Sequence, residues 1–417
     1  EQRSMSPPPG DPAWQAVDRI ARQSYGRLVA WLAYEWRDLA LAEDALSEAL
    51  TKALALWPGQ GVPHSPEAWL LTVARRELLQ VARRQRLHQS PQVQAVLAGD
   101  EAAAEADTVP DRRLALMLVC AHPAIDPGVH TALMLQTVLG LEARVVAQAM
   151  LTSPAAMAQR LVRAKQKIRD SGLRFEEPAA EALPERLHAV LEAIYAAYGL
   201  GWDALDGGDA AVVGLRSEAL FLGELVCRLV PDSAEALGLT AMMLFCEART
   251  RARHSTEGEF VPLALQDTRL WDRGLIGQAE RCLWRAAALS APGPFQIEAA
   301  IQSAHCQRLF SGDTPWAAVA SLYEQLRQMA PTLGSHVGHL VALAKAGDLA
   351  RAGALLAEAD GTRLMHYQPY WVARFHIEQL EGRAAEARRS LEQAIGLTVA
   401  PAVRRFLLGE LDRLSAD

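Results

Sequence analysis

Aromatic residues make up only 6% of the 417-residue chain. Strands draw on aromatic and β-branched side chains, so this shortage, beside an abundance of Ala and Leu, argues against a sheet-based fold and for packed helices. No apolar run approaches the roughly 18 residues that would cross a bilayer. The opening "EQRSMSPPPG" has no basic-then-apolar signal pattern. Cysteine is sparse: Cys120, Cys227, Cys246, Cys282 and Cys306 are odd in number and never spaced as CxxC. They are expected to be reduced core thiols, which predicts a cytoplasmic protein. The P-loop, the GxGxxG turn and the GxSxG elbow are all missing, and no carboxylate or cysteine cluster accompanies the HxxH pair His336 and His339. The expectation is therefore no enzyme, no metal and no cofactor.

Basic charge is not in excess either. The chain carries a net charge of -7, and Arg outnumbers Lys 38 to 4, an imbalance given no functional weight. Residues 1–180 hold 20 basic and 20 acidic residues, while residues 181–417 hold 22 against 29. The positive charge of the first part is concentrated in two stretches, 75–86 and 160–174. At this length two or three domains are expected.

Residues 12–57 read as two helices. The second, "DLALAEDALSEALTKALALW", places Leu39, Ala42, Leu46, Ala49, Ala53 and Leu56 at helical spacing, with Asp44, Glu48 and Lys52 on another face. "PGQGVPHSP" interrupts the pattern, and Ser65 before Pro66 signals the start of a helix through "EAWLLTVARRELLQVARRQR". Residues 89–109 are acidic, small and aperiodic, which predicts a linker. Short helical segments return over 110–174, and a second hinge follows near residues 172–185. The remainder, 183–417, is helical throughout. Two stretches there, "VGHLVALAKAGDLARAGALLAEAD" and "WVARFHIEQLEGRAAEARRSLEQAIGL", share a helix–Gly turn–helix form, with Gly347 and Gly382 at the turns and Ala352 and Ala387 just beyond. That pattern is tetratricopeptide-like and predicts an α-solenoid.

Two motifs carry chemistry. In "LEARVVAQAMLTSPAAMAQRLVRAKQKIRDSG" a first helix is expected from about Glu142 to Met150, then a turn, then a second helix opened by Ser153 as cap and Pro154. Met157, Leu161, Ala164 and Ile168 form its buried stripe. Ala155, Ala156, Gln159, Arg160, Arg163 and Lys167 lie on the other faces, small residues first and cations later. This is the pattern of a DNA recognition helix, in which Gln and Arg reach base edges while later cations meet phosphate. Leu151, in a turn position that is often Gly, is expected to avoid a left-handed conformation. In the second motif Trp69, Val73, Arg76 and Gln80 share a face, with Arg75, Arg83, Arg84 and Arg86 nearby. An aromatic beside an arginine run suits single-stranded or melted nucleic acid.

These stretches, in this order, resemble the sigma-70 family of bacterial transcription initiation factors, most closely its small extracytoplasmic-function type. "LAEDALSEALTKAL" resembles conserved region 2.2, "SPEAWLLTVARRELLQVARR" resembles regions 2.3 and 2.4, and residues 111–172 resemble region 4. With "CAHPAIDPGVHTALMLQTVLGL", "LPERLHAVLEAIYAAY", "LALQDTRLWDRGLI" and "GPFQIEAAIQSAH", the chain is similar to members bearing a long C-terminal tetratricopeptide-like extension.

The resemblance implies an all-α fold: a region 2 bundle at 12–88, a linker at 89–109, a region 4 helix-turn-helix at 110–174, and the solenoid at 183–417. It implies no catalysis and no cofactor, with core RNA polymerase (β′ clamp and β flap) and promoter DNA as partners. A further protein or signal would act on the C-terminal domain, and no membrane is involved. Leu41, Asp44, Glu48 and Lys52 match the polymerase-binding helix. Trp69, Arg75, Arg76, Arg83 and Arg84, with the loop 61–65, match the −10 reader. Ser153, Ala155, Ala156, Gln159, Arg160, Arg163 and Lys167 match the −35 reader. Arg76 and Gln80 stand where the family commonly has Asn and Asp, and Ser47 where it has Gln, so a generic −10 sequence is not implied. The alternative is a tetratricopeptide-type scaffold with a helix-turn-helix that binds DNA without polymerase.

Overall fold

The structure is a computed structural model that describes residues 12–84, 111–173, 181–203, 212, 214–358 and 361–416. The 89–109 stretch, expected to be a linker, and Arg86 lie outside the described residues, as do the side chains of Arg83 and Arg84. The fold is all-α: among the described residues there is no strand, only an isolated bridge between His254 and Phe260. The chain divides into two compact units, residues 1–197 and 198–417.

The first unit opens with α1 (Pro12–Gln23), α2 (Tyr25–Trp36), α3 (Leu39–Gln60) and α4 (Pro66–Arg84). Where the sequence suggests two helices before residue 57 there are three, because Ser24 leaves helical geometry at φ -122° and ψ -11°. Asp38 caps α3, its side chain accepting from the Leu41 amide at 3.0 Å. That helix runs past Pro58 and stops at Gly61, which adopts φ +84°. Its core stripe is Leu39, Ala42, Leu46, Ala49 and Ala53, as the spacing suggests, but the last member is Trp57 and not Leu56, which is 40% exposed.

Four helices follow: α5 (Arg113–Cys120), α6 (Pro127–Thr137), α7 (Ala143–Ala149) and α8 (Pro154–Asp170). Asp126 caps α6 through the Gly128 amide at 3.0 Å, and Ser153 caps α8 through the Ala156 amide at 3.3 Å. Cys120 and Thr137 share a hydrogen bond between α5 and α6, and burial pushes the Cys120 thiol up to about 12. Helix α9 (Leu183–Asp203) contains the division between the units.

The second unit is built of neighbouring helices. α10 (Leu215–Leu229) packs on α11 (Ala234–Glu247), which packs on α12 (Arg273–Ala288) and α13 (Pro294–Cys306). After α14 (Arg308–Ser311) come α15 (Trp316–Met329), α16 (Leu333–Lys345) and α17 (Leu349–Ala357). The chain closes with α18 (Gly361–Leu364), α19 (Gln368–Leu380), α20 (Ala384–Leu397) and α21 (Pro401–Ala416). The α16–α17 and α19–α20 turns are built alike. Gly347 and Gly382 take φ +85° and +74°, and the following amides, Asp348 and Arg383, return to the carbonyls of Leu343 and Glu378 at 3.0 and 2.8 Å. This is the hydrogen-bond closure that glycine permits at a helix C-terminus. Ala352 and Ala387, at matching places beyond the turns, are both fully buried.

The segment between α11 and α12 has little regular structure of its own. Arg308 holds it by donating to the carbonyls of Leu263 and Ala264 at 2.8 and 2.9 Å, with its guanidinium 5.0 Å from the Trp271 ring centroid. At the end of the unit, Arg405 of α21 pairs with Glu259 at 3.0 Å and Phe406 meets Phe260 edge-on.

Candidate nucleic-acid interface

Helix α8 owes its position to the turn before it. The Thr152 amide bonds to the Ala147 carbonyl at 2.9 Å and the Leu151 amide to the Gln148 carbonyl at 3.2 Å. These two bonds complete a Schellman closure of α7. Leu151 occupies the left-handed position at φ 51°, contrary to the expectation that it avoids it, and its side chain is 95% exposed. The closure satisfies two orphan carbonyls, which offsets a left-handed leucine costing about 1–2 kcal/mol.

Once capped, α8 presents three distinct faces. Met157, Leu161, Ala164 and Ile168 are buried, as their spacing indicates. A second face carries Ser153, Ala155, Gln159, Arg163 and Lys167, all exposed, and Ala156 and Arg160, half-buried. Arg160 is steadied by α6: its Nη2 donates to the Gly128 carbonyl at 2.7 Å. Beside it lies an open hollow of about 360 Å³ lined by Ile125, Asp126, Val129, Arg160, Arg163 and Lys167. Its three cations outnumber its one carboxylate, which already serves as the cap of α6, so the hollow is net positive.

The third face is one that sequence reasoning missed. Lys165 donates to both carboxylate oxygens of Glu43 on α3, at 2.7 and 2.9 Å, and Arg169 bonds Asp38 at 3.0 Å. The Lys165 and Glu43 side chains are 16% and 15% exposed. Burial raises the Glu43 pKa, while the neighbouring Lys165 opposes that shift. These pairs bridge 122 and 131 positions of chain, and no local pattern signals them.

The α4 cluster is more structural than its arginine run suggests. Arg75 makes a two-pronged contact with Glu35, at 2.7 and 3.1 Å, and its guanidinium stands 4.3 Å from the Trp31 ring centroid. Trp69 is half-buried and meets Trp57 edge-on, centroids 5.4 Å apart. Arg76, by contrast, is exposed, as are Thr72 and Gln80 along the same helix. Glu67, at the start of α4, takes hydrogen bonds from Ser24 and Arg27.

On α3, Asp44 and Glu48 are exposed and Leu41 is half-buried. Lys52 pairs with Glu77 of α4. Glu48 also pairs with Lys52 one turn on, at 3.8 Å, on the exposed side of the helix.

Residues 21–88, spanning α2 to α4, match the family model described as Sigma-70 region 2. Residues 186–287 match the model described as Family of unknown function (DUF6596). Over 402 residues the chain is 35% identical to an uncharacterized protein of Rhizobium meliloti (strain 1021), an alignment covering 95% of this chain and 94% of that protein. No solved structure matches.

Proposed function

We propose that this chain, whose residues 21–88 match Sigma-70 region 2, is a promoter-specificity subunit of RNA polymerase of the sigma-70 family, of the extracytoplasmic-function type, with a tetratricopeptide-like C-terminal domain. The observation that carries this reading is the coincidence of the region 2 match over residues 21–88 with a second, capped basic helix that holds Gln159 and Arg163 in solvent. The first supplies a polymerase to work with. The second supplies a surface for duplex DNA.

No covalent chemistry is needed. Helix α3, with Leu41, Asp44, Glu48 and Lys52, meets the β′ clamp, and the region 4 module meets the β flap. The α4 module captures −10 bases through Arg76 and the exposed rim of Trp69, with the 61–65 loop and Arg83 and Arg84 nearby. Arg75 belongs to that module as a positioning residue, since Glu35 and Trp31 already engage it. Helix α8 enters the −35 major groove by its capped end. Small Ala155 and Ala156 allow close approach, Gln159 and Arg163 read base edges, and Ser153, Arg160 and Lys167 anchor phosphates. The hollow lined by Arg160, Arg163 and Lys167 supports the phosphate assignment.

The C-terminal helical domain, net acidic by sequence, acts in cis and is required for activity, either by positioning the DNA-binding modules or by recruiting a partner. The protein works in the cytoplasm. Run-off transcription with core polymerase and genomic fragments tests the whole reading. Specific transcripts are expected from the full chain, and fewer from a chain ending at Asp203. A chain that neither co-purifies with core polymerase nor directs any transcript is a DNA-binding scaffold instead.

A further inference from the structure

Helix α12 belongs to an acidic unit and yet shows solvent a face of one positive sign. Residues 181–417 hold 22 basic against 29 acidic residues. On α20 and α21, Arg388, Arg389, Arg405 and Arg413 each pair with a glutamate. On α12 the arginines do not. Arg273, Arg281 and Arg285 are exposed and have no ion-pair partner among the described residues.

The packing of the helix keeps this face clear of acid. Ile276, Ala279 and Ala286 are buried, which turns Gly274, Gly277, Gln278, Arg281 and Arg285 to the opposite side. Glu280 is the one carboxylate within the helix, and the Ser303 hydroxyl of α13 donates to it at 2.6 Å. Asp272 is engaged as the cap, accepting from the Gly274 and Leu275 amides at 2.8 and 3.0 Å. Trp284 stands among the arginines and is 75% exposed.

The order of residues echoes that of α8. There a small residue, Ala155, is followed at four-residue steps by Gln159, Arg163 and Lys167. Here Gly274 is followed by Gln278, Arg281 and Arg285. Two differences separate the helices. A long irregular segment precedes α12, so no helix-turn-helix presents it to a groove. The bulky Trp284 on the same face holds it off a groove floor.

We propose that this face of α12 is a second nucleic-acid contact, which binds duplex DNA through its phosphates without reading sequence. Arg273, Arg281 and Arg285 reach phosphate oxygens, and Trp284 covers a deoxyribose. From Arg273 to Arg285 the helix runs about 18 Å, the length of about five base-pair steps. Phosphates supply an unbroken line of negative charge over that length. A protein partner fits less well, because interface cores surround an aromatic anchor with other apolar side chains. Along α12 it is Glu280, Arg281, Ala287 and Ala288 that flank Trp284. The second unit follows α8 in the chain, so in a promoter complex the contact falls on duplex upstream of the −35 element. That placing, though not the DNA binding itself, rests on the promoter-subunit reading.

The test uses the full chain and the double variant Arg281→Ala, Arg285→Ala, with Arg281→Lys, Arg285→Lys as the charge-keeping control. On random-sequence duplex, read by fluorescence anisotropy, the alanine pair should bind about tenfold more weakly at low salt. It should also flatten the dependence of log affinity on log salt by about 1.8, the slope of two lost phosphate contacts. The lysine pair should match the unaltered chain. With core polymerase, two promoter fragments are compared, one ending just upstream of the −35 element and one carrying two further helical turns. The unaltered chain should favour the longer fragment, and the alanine pair should lose that preference while binding the shorter one equally well. An unchanged salt slope overturns the proposal, as does a preference absent from the unaltered chain or kept in full by the alanine pair. So does loss of core-polymerase binding in the alanine pair with DNA binding intact, which would make the face a protein contact. If no version binds core polymerase, the promoter-subunit reading fails instead, and the random-duplex measurement still decides what α12 binds.

Discussion

The two units of the molecule hold themselves together by different means. The first is fastened by charge across long stretches of sequence: Glu35 to Arg75, Glu43 to Lys165 and Asp38 to Arg169. The second is fastened mainly by neighbours, each helix packing on the next one or two through alanine and leucine, with glycine turns at repeated places. Its fully buried Glu378 is paired with Arg374 only four residues away, while two of its histidines are held neutral. Burial and the nearby Arg249 and Arg308 push the His305 pKa down to about 4, and burial with Lys345 does the same to His376. A unit tied by long-range ion pairs should respond to removal of single partners. A unit built on buried neutral histidines should respond to protons.

The largest expected effect is on the second unit. Unfolded histidine titrates near 6.5, whereas His305 and His376 do so at about 4 when folded. Between those values the unfolded chain takes up protons that the native one refuses, so stability is full above pH 6.5 and falls as the pH drops toward 4. Each histidine contributes up to about 3 kcal/mol to that loss. Denaturant melts at a series of pH values, read with the variant His305→Gln, measure it. A flat profile from pH 7 to 4 would remove the contrast between the units.

Next comes Arg75→Ala. It strips a two-pronged ion pair and a cation–π contact and leaves Glu35 only 17% exposed without its partner. A loss of about 2–4 kcal/mol in unfolding free energy is expected, the range for a largely buried pair broken on one side. If Arg75→Ala instead melts normally and fails only in promoter opening, Arg75 reads DNA directly.

Arg163→Ala should behave in the reverse way. Its side chain is exposed and its one hydrogen bond is a long one, 3.4 Å to the Gln159 carbonyl, so stability should move by less than about 0.5 kcal/mol. Binding to a −35 duplex should weaken by about 1–3 kcal/mol, measured by fluorescence anisotropy, with core-polymerase affinity unchanged. The smallest effect is a gain: Leu151→Gly relieves the left-handed leucine and should stabilise the first unit by about 1 kcal/mol in thermal melts.

Helix α8 was legible because each of its signals is local. The Ser153 cap, Pro154 and the stripe from Met157 to Ile168 fall within one element and obey its period. Gly347 and Gly382 were legible for the same reason. What escaped depends on partners distant in sequence. Nothing around Gly26 distinguishes it from a tolerated helical glycine until the Val138 carbonyl is placed against it. Asp38 and Glu43 look like ordinary solvated acids of a helix start until Lys165 and Arg169 arrive. Arg75 was read by its neighbours in sequence, an arginine run, when its fate is set by Glu35 on another helix. The left-handed Leu151 shows a further limit: intrinsic preference was overruled by two hydrogen bonds that only the folded turn provides.

The three-sided character of α8 has an evolutionary corollary. On the proposed reading, α8 turns one face to the core, one to α3 and one to DNA, and each face limits substitution in a different way. Substitutions at Met157, Leu161, Ala164 or Ile168 are paid in folding, and those at Lys165 or Arg169 in the fit to α3. If α8 reads a promoter as proposed, drift toward a new preference runs through the exposed residues of that face, Ala155, Ala158, Gln159 and Arg163 among them. A lineage of such proteins would diversify its targets by rewriting those letters while the rest of the helix stays fixed.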